Sequence, residues 1–197
     1  MYPQDLYPQV VKVVYYTHPL CPVSWAMQAE WERFTEHFGK YISTQFCMAG
    51  NAPDTSETPE NSVFPAYVTC LAVKAAGLQS PVAADLYLGR LRKAAMAEQL
   101  DVLQPNVLVG LAREISKYHR NQFDFHRFGK DFDTRAARQA LHADLQKAHC
   151  NRIDRFPTLT FTVKGRGVKL AGYCTYAKLV AAVNKLLKGV NDRLISI

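Results

Sequence analysis

Hydrophobic and polar positions alternate in blocks along this chain, and the blocks predict its elements. Val10–Tyr16 is rich in β-branched and aromatic side chains, which suits a buried strand. From Ala26 to Phe38, apolar Ala26, Trp31, Phe34 and Phe38 are spaced as on one face of a helix, and Gly39 marks its end. Tyr41–Met48 is short and β-prone, and completes with the preceding strand and helix a β-α-β unit with parallel strands. A loop-like stretch, Ala49–Pro59, follows and the pattern changes.

From about Asn61 to Cys150 the periodicity is helical, cut by start and stop signals. Ser62 caps a helix ending near Gly77, Ser80-Pro81 opens one reaching about Ala97, and Pro105 opens one reaching Ile115 or Tyr118. A short helix lies around Gln122–Phe128 and ends at Gly129; Asp133 or Thr134 opens the last, which runs to about His149. Strand character returns at Thr158–Val163. The turn Lys164-Gly165-Arg166-Gly167 and the strand Val168–Gly172 then complete a hairpin. A final amphipathic helix extends from Tyr176 to about Leu187 and stops near Gly189. The expected division is a domain of residues 1–60 and 150–197, interrupted by an all-helical insertion at 61–149.

Composition adds few constraints. With 197 residues, 48% hydrophobic and 21% charged, the chain can bury one substantial core. The net charge of +7 is spread along the sequence rather than gathered in one block, so no specific nucleic-acid partner is expected. No apolar run has the length of a membrane helix, and Met1–Asp5 lacks the order of a signal peptide, so a cytoplasmic location is the expectation. Five cysteines, none close to another, indicate neither a zinc ribbon nor a disulfide framework and fit a reducing compartment. Histidines 119, 126, 142 and 149 have no defensible ligand spacing, and no metal is expected.

The chemistry concentrates in Thr17-His18-Pro19-Leu20-Cys21-Pro22-Val23-Ser24-Trp25, between the first strand and the first helix. A cysteine at a helix N-terminus meets unpaired N–H groups and the positive end of the macrodipole, which favour a nucleophilic thiolate. Pro22 suits the first helical position. The Ser24 hydroxyl is read either as a donor to that thiolate or as a helix-start residue bonding local backbone. His18 is either a charged or proton-shuttling neighbour of Cys21 or a solvated loop histidine. Trp25 and Trp31 read as core or groove-lining residues, and Arg90, Arg92 and Lys93 as the wet face of a helix. Cys47, Cys70, Cys150 and Cys174 read as core or loop cysteines; Cys150, seven residues before Pro157, is also weighed as an alternative resolving thiol.

The order β-α-β, helices, β-β-α, with Pro19–Trp25 at the first helix and Phe156-Pro157-Thr158 before the hairpin, resembles the DsbA-like branch of the thioredoxin superfamily. It is similar within that branch to dithiol-disulfide isomerase-like proteins, to the hydroxychromene-carboxylate isomerase and kappa-class glutathione transferase group, and to Clp-protease adaptors of the YjbH type. Tyr87–Ala95 and Val107–Ala112 are similar to helices of those relatives.

The resemblance implies an α/β thioredoxin fold with a helical insertion, and a cis Phe156–Pro157 bond facing the nucleophile. It assigns catalysis to Cys21 and Ser24, and substrate binding to His18, Pro22, Trp25, Phe156, Pro157 and Thr158. The family pattern is Cys-Pro-x-Cys, whereas this chain has Ser24 at the fourth position, so the usual resolving thiol is missing. A single-cysteine thiol-disulfide oxidoreductase or isomerase is therefore expected, with no tightly bound cofactor and with glutathione or another external thiol as co-substrate. Its partners would be protein thiols or disulfides, and a homodimer is open. The alternatives are a kappa-type glutathione transferase or isomerase, and a non-catalytic adaptor for a protein partner.

Overall fold

The structure, a computed structural model, describes residues 11–49 and 66–194. Ser62, the expected cap of the first inserted helix, and Val10, the expected start of the first strand, lie outside these residues.

A four-stranded sheet is ordered β2-β1-β3-β4. Strand β1 (Val11–Thr17) is central and, apart from Lys12, buried throughout, which explains its nearly unbroken apolar sequence. It pairs in parallel with β2 (Ile42–Met48) and antiparallel with β3 (Thr158–Val163). The register sets Thr17 opposite Met48 and Tyr16 opposite Thr158. Consequently the loop leaving β1 and the segment entering β3 emerge at the same end of the sheet. Strand β4 (Arg166–Ala171) closes the hairpin with Val163 paired to Arg166. The turn is thus Lys164-Gly165 alone, both at positive φ (45° and 76°), rather than the four residues expected. Two left-handed residues give the tight turn whose twist matches a hairpin.

The expected helix from Ala26 to Phe38 is two helices, α1 (Pro22–Ala26) and α2 (Gln28–Phe38), parted at Met27. Met27 is fully buried and its sulfur accepts a hydrogen bond from the Cys174 backbone N–H at 3.3 Å, so this joint is pinned into the core. Gly39–Tyr41 form a single 3₁₀ turn before β2. Tyr15, Trp31 and Phe46 pack together beneath α2, with Tyr15 and Trp31 edge to face at 5.0 Å between ring centroids.

Between β2 and β3 the chain runs through α3 (Tyr67–Gly77), α4 (Pro81–Met96), α5 (Pro105–Tyr118), α6 (Phe125–Asp131) and α7 (Arg135–Cys150). Side chains cap three of their starts: Ser80 accepts from Ala83 N–H, Asp124 from His126 and Arg127, and Thr134 from Ala137. The short helix α6 therefore starts later than its sequence suggests and continues through Gly129. The last helix, α8 (Tyr176–Leu194), likewise passes Gly189 instead of stopping there. One hydrophobic cluster includes Val13 and Phe161 of the sheet, Trp31 and Phe34 of α2, and Leu71, Tyr87, Leu111, Phe128 and Leu141 of the intervening helices.

Helix α7 is tied to both α3 and β2 through the buried Asp144 carboxylate. Lys74 and Asp144 meet at 2.7 Å, and the Asp144 carboxylate also accepts the Met48 N–H at 2.8 Å.

Candidate functional site

Cys21 occupies the N-cap position of α1, a few residues beyond the end of β1. Its own N–H donates to the His18 carbonyl at 3.2 Å, forming the tight turn expected there. The sulfur accepts the Ser24 backbone N–H at 3.4 Å and, as a thiol, donates to the Phe156 carbonyl oxygen at 3.7 Å. The Phe156–Pro157 bond is cis. Strand pairing therefore brings together residues 135 apart in sequence: a half-buried cysteine and the carbonyl that precedes a buried proline.

Ser24 is fully buried, and its hydroxyl points inward. It accepts from Thr17 Oγ1 at 2.9 Å and makes no hydrogen bond to the Cys21 sulfur. Of the two readings of this residue, the hydroxyl donor to sulfur is replaced by the backbone donor, because the side chain belongs to a buried polar cluster. Thr17 is itself held by Arg92, whose Nη2 donates to Oγ1 at 2.5 Å while Nη1 donates to Gln28 Oε1 at 2.7 Å. Arg92 has no exposed surface, so it does not belong to a wet helix face. Lys93 is exposed as expected, and the half-buried Arg90 pairs with Glu98 and Glu114 at 2.9 and 2.8 Å.

His18 is half-buried, not a solvated loop residue, and its Nδ1 accepts the Leu20 N–H at 3.1 Å. Burial, aided by the charge of Arg92, lowers its pKa from 6.5 and favours the neutral ring. A charged His18 acting on Cys21 is thereby disfavoured. Pro22 is exposed at the first position of α1, beside exposed Val23. Trp25 is half-buried and lines a groove of about 1160 Å³ that runs between α2 and α4 to the edge of β2.

Behind Phe156, the Pro157 carbonyl accepts the Gly172 N–H at 2.7 Å and the Thr158 hydroxyl donates to the Arg155 carbonyl at 2.7 Å. Those two residues hold the shape of the segment. Among the described contacts, neither of them touches the sulfur.

All five cysteines are free. Cys47 is buried and donates to the Asp144 carbonyl at 3.3 Å, Cys70 is buried among α3 neighbours, and Cys174 donates to the Gly172 carbonyl at 3.5 Å. Burial pushes all three thiols up, the condition of an inert cysteine. Cys150 is exposed at the end of α7 and is neither hydrogen-bonded nor disulfide-linked to Cys21. Among the described residues, no group of three or more His, Cys, Asp or Glu is arranged to hold a metal ion. Nor is any helix there long and apolar enough to cross a membrane.

Sequence reasoning missed Thr17, Gln28 and Arg92. A clue was available in Leu88-Gly89-Arg90-Leu91-Arg92: residue 92 lies four positions after the buried Leu88, on the same face of α4.

Comparison with known proteins agrees with this fold. The chain is 24% identical over 213 aligned residues to the ClpXP adapter protein SpxH of Halalkalibacterium halodurans; 90% of this chain and 68% of that protein are covered. Among solved structures it is similar to one assigned as a protein disulfide isomerase from Nitrosomonas europaea, with a TM-score of 0.76 at 19% identity over 92% of this chain and 99% of that one. It is also similar to the cytosolic disulfide reductase DsbM of Pseudomonas aeruginosa with GSH, with a TM-score of 0.60 at 15% identity over 93% and 98%. At such identities the two structures establish a shared fold. The family model described as thioredoxin matches residues 15–181, from the centre of β1 into α8, and this chain belongs to the thioredoxin family.

Proposed function

We propose that this protein exchanges disulfides through Cys21 alone. The observation that carries the reading is the setting of its sulfur, held between the Ser24 N–H and the Phe156 carbonyl while Cys47, Cys70 and Cys174 are buried. The Cys21 thiolate attacks a disulfide R–S–S–R′, forms Cys21–S–S–R and expels R′–S⁻. The fourth residue of the motif is a buried serine, so no neighbouring thiol displaces R, and release falls to an external thiol such as glutathione. The backbone ahead of Pro157 offers an extended peptide or glutathione a hydrogen-bonding edge. Free cysteines throughout suit a reducing, cytoplasmic setting. Likeness to a disulfide reductase with GSH and to a structure assigned as a disulfide isomerase supports this chemistry.

The test is uptake from glutathione disulfide, followed by mass spectrometry in a Cys150→Ser background so that the exposed second thiol is silent. The expected result is one glutathionyl group, lost on Cys21→Ala. Uptake no faster than by a free model thiol, or persisting without Cys21, overturns the reading.

A second reading is favoured by the adapter name of the sequence relatives: a protein that binds a partner and has given up the redox cycle. Capture of a partner that is undiminished by Cys21→Ala, together with no thiol exchange, selects it.

A further inference from the structure

Arg92 sits fully buried in α4, and no ion pair to it forms among the described residues. Burying a cation forfeits its hydration, and an apolar side chain at that position would avoid that cost. The approach of α4 to the segment carrying Cys21 is nevertheless close. A Cβ added at Gly89, one turn before Arg92, would lie 3.2 Å from Gln28 Nε2. The guanidinium carbon stands 5.6 Å from the Tyr15 ring centre, and its two terminal nitrogens reach Gln28 and Thr17.

These bonds have a direction. A guanidinium only donates, so Thr17 Oγ1 must accept from Arg92. The Thr17 hydrogen is then given to Ser24 Oγ at 2.9 Å. The aligned dipoles extend the positive potential of Arg92 to the residue whose backbone N–H meets the Cys21 sulfur at 3.4 Å. An arginine keeps its charge even in a dry interior, so this potential is permanent.

Resting on the single-cysteine reading above, we propose that Arg92 is a positioning residue which, through Thr17 and Ser24, makes Cys21 a good leaving group. In the release step an incoming thiolate attacks the partner's sulfur in Cys21–S–S–R. The S–S bond breaks, its electron pair stays on Cys21 Sγ, and a new disulfide joins the incoming thiol to R. One thiolate enters and one leaves. The charge that develops on Sγ faces the Ser24 N–H at the end of the Arg92 chain. The device compensates for the missing second thiol by easing release to an external one.

The experiment loads the Cys150→Ser protein with glutathione at Cys21, adds excess mercaptoethanol, and follows loss of the adduct by mass spectrometry. Arg92→Met and the near-isosteric Thr17→Val are expected to slow release about tenfold, the scale of a hydrogen bond to a charged group. Arg92→Lys, which keeps the charge, is expected to recover most of the rate. A structural role alone would change the melting temperature without this rescue. If Arg92→Met does not fold, Thr17→Val decides, since it keeps the buried charge and removes only the link. Release at the unsubstituted rate in Thr17→Val, or Arg92→Lys as slow as Arg92→Met, overturns the proposal. Failure of the unsubstituted protein to take up glutathione defeats the reading beneath it as well, so the two failures are distinguishable.

Discussion

The backbone nitrogen of Ser24 lies 3.4 Å from the sulfur of Cys21, with the Ser24 side chain turned away from it toward Thr17. Position 24 is therefore adjacent to the nucleophile and lacks only the sulfur needed to act on it. In a Ser24→Cys variant the new thiol would attack the Cys21 mixed disulfide from within the molecule, at an effective concentration of roughly millimolar or more. Against a micromolar external thiol this amounts to about a thousandfold advantage. The expected outcome is that glutathione loaded on the variant is lost without added thiol and that a thiol reagent then titrates one cysteine fewer than in the unsubstituted protein, whose five are free. An adduct as lasting as that of the unsubstituted protein would show that geometry, not the missing sulfur, prevents resolution.

His18 supplies a prediction readable without any reaction. Burial and Arg92 lower its pKa below 6.5, so the native ring binds its proton later than the unfolded one. Between the two values the unfolded chain holds more protons, and stability rises with pH across that window. Titration of the His18 ring by NMR should give a midpoint below 6.5. His18→Gln, whose side chain can still accept from Leu20 N–H, should flatten the fall in melting temperature that acidification through this window causes. A midpoint at or above 6.5 contradicts the assignment.

Much of the fold was legible because its signals are local. The apolar run of β1 marks a central strand, and Ser80-Pro81, Pro105 and Thr134 start helices where their cap chemistry requires. Glycine misled at Gly129 and Gly189, because each helix continues past this weak helix former. The break at Met27 has no punctuation in sequence, and the contact made there is with Cys174, 147 residues away. The same holds for the site. Cys21 and Pro157 were legible as motifs, while Arg92 was marked only by its helical spacing from Leu88, which does not reveal the Thr17 hydroxyl and the Gln28 amide oxygen that it faces.

Asp85 gives a second pH dependence, of opposite sign. Its carboxyl accepts the Trp31 indole N–H at 3.1 Å, and burial raises its pKa from 3.8 to about 6 although Arg92 pulls it down. Between those values the native state holds the extra proton, so stability falls as pH rises toward 6 and stays lowered above it. Asp85→Asn keeps the acceptor for Trp31 and should remove this slope. The full shift would convert to about 3 kcal/mol, but Asp85 lines the open groove and loses its attraction to Arg92, so a gain of about 1 kcal/mol at pH 7 is expected. Urea melts of both proteins at pH 4.5 and pH 7 check it. A variant that is less stable at pH 7 but not at pH 4.5 would mean that the attraction of the ionised carboxyl to Arg92 dominates.

Lys74 and Asp144 offer the sharpest test of how the strand next to the site is held. Asp144 is 2% exposed, meets Lys74 Nζ at 2.7 Å, and accepts the N–H of Met48, the residue paired with Thr17 at the end of β1. Lys74 also donates to the Phe46 carbonyl at 3.3 Å, so one ion pair ties α3 and α7 to β2. Burial already raises the Asp144 pKa, with Lys74 the main opposing influence. Lys74→Met removes the cation and leaves a buried carboxylate, at an expected loss of about 3 to 5 kcal/mol in urea unfolding at pH 7. The loss should shrink on acidification, because the orphaned carboxyl then folds in its protonated form. The double variant Lys74→Met with Asp144→Asn removes both charges and should recover a large part of the loss at pH 7. Equal loss in the single and double variants would show that packing of the lysine stem, and not the charge pair, secures β2 beside Thr17.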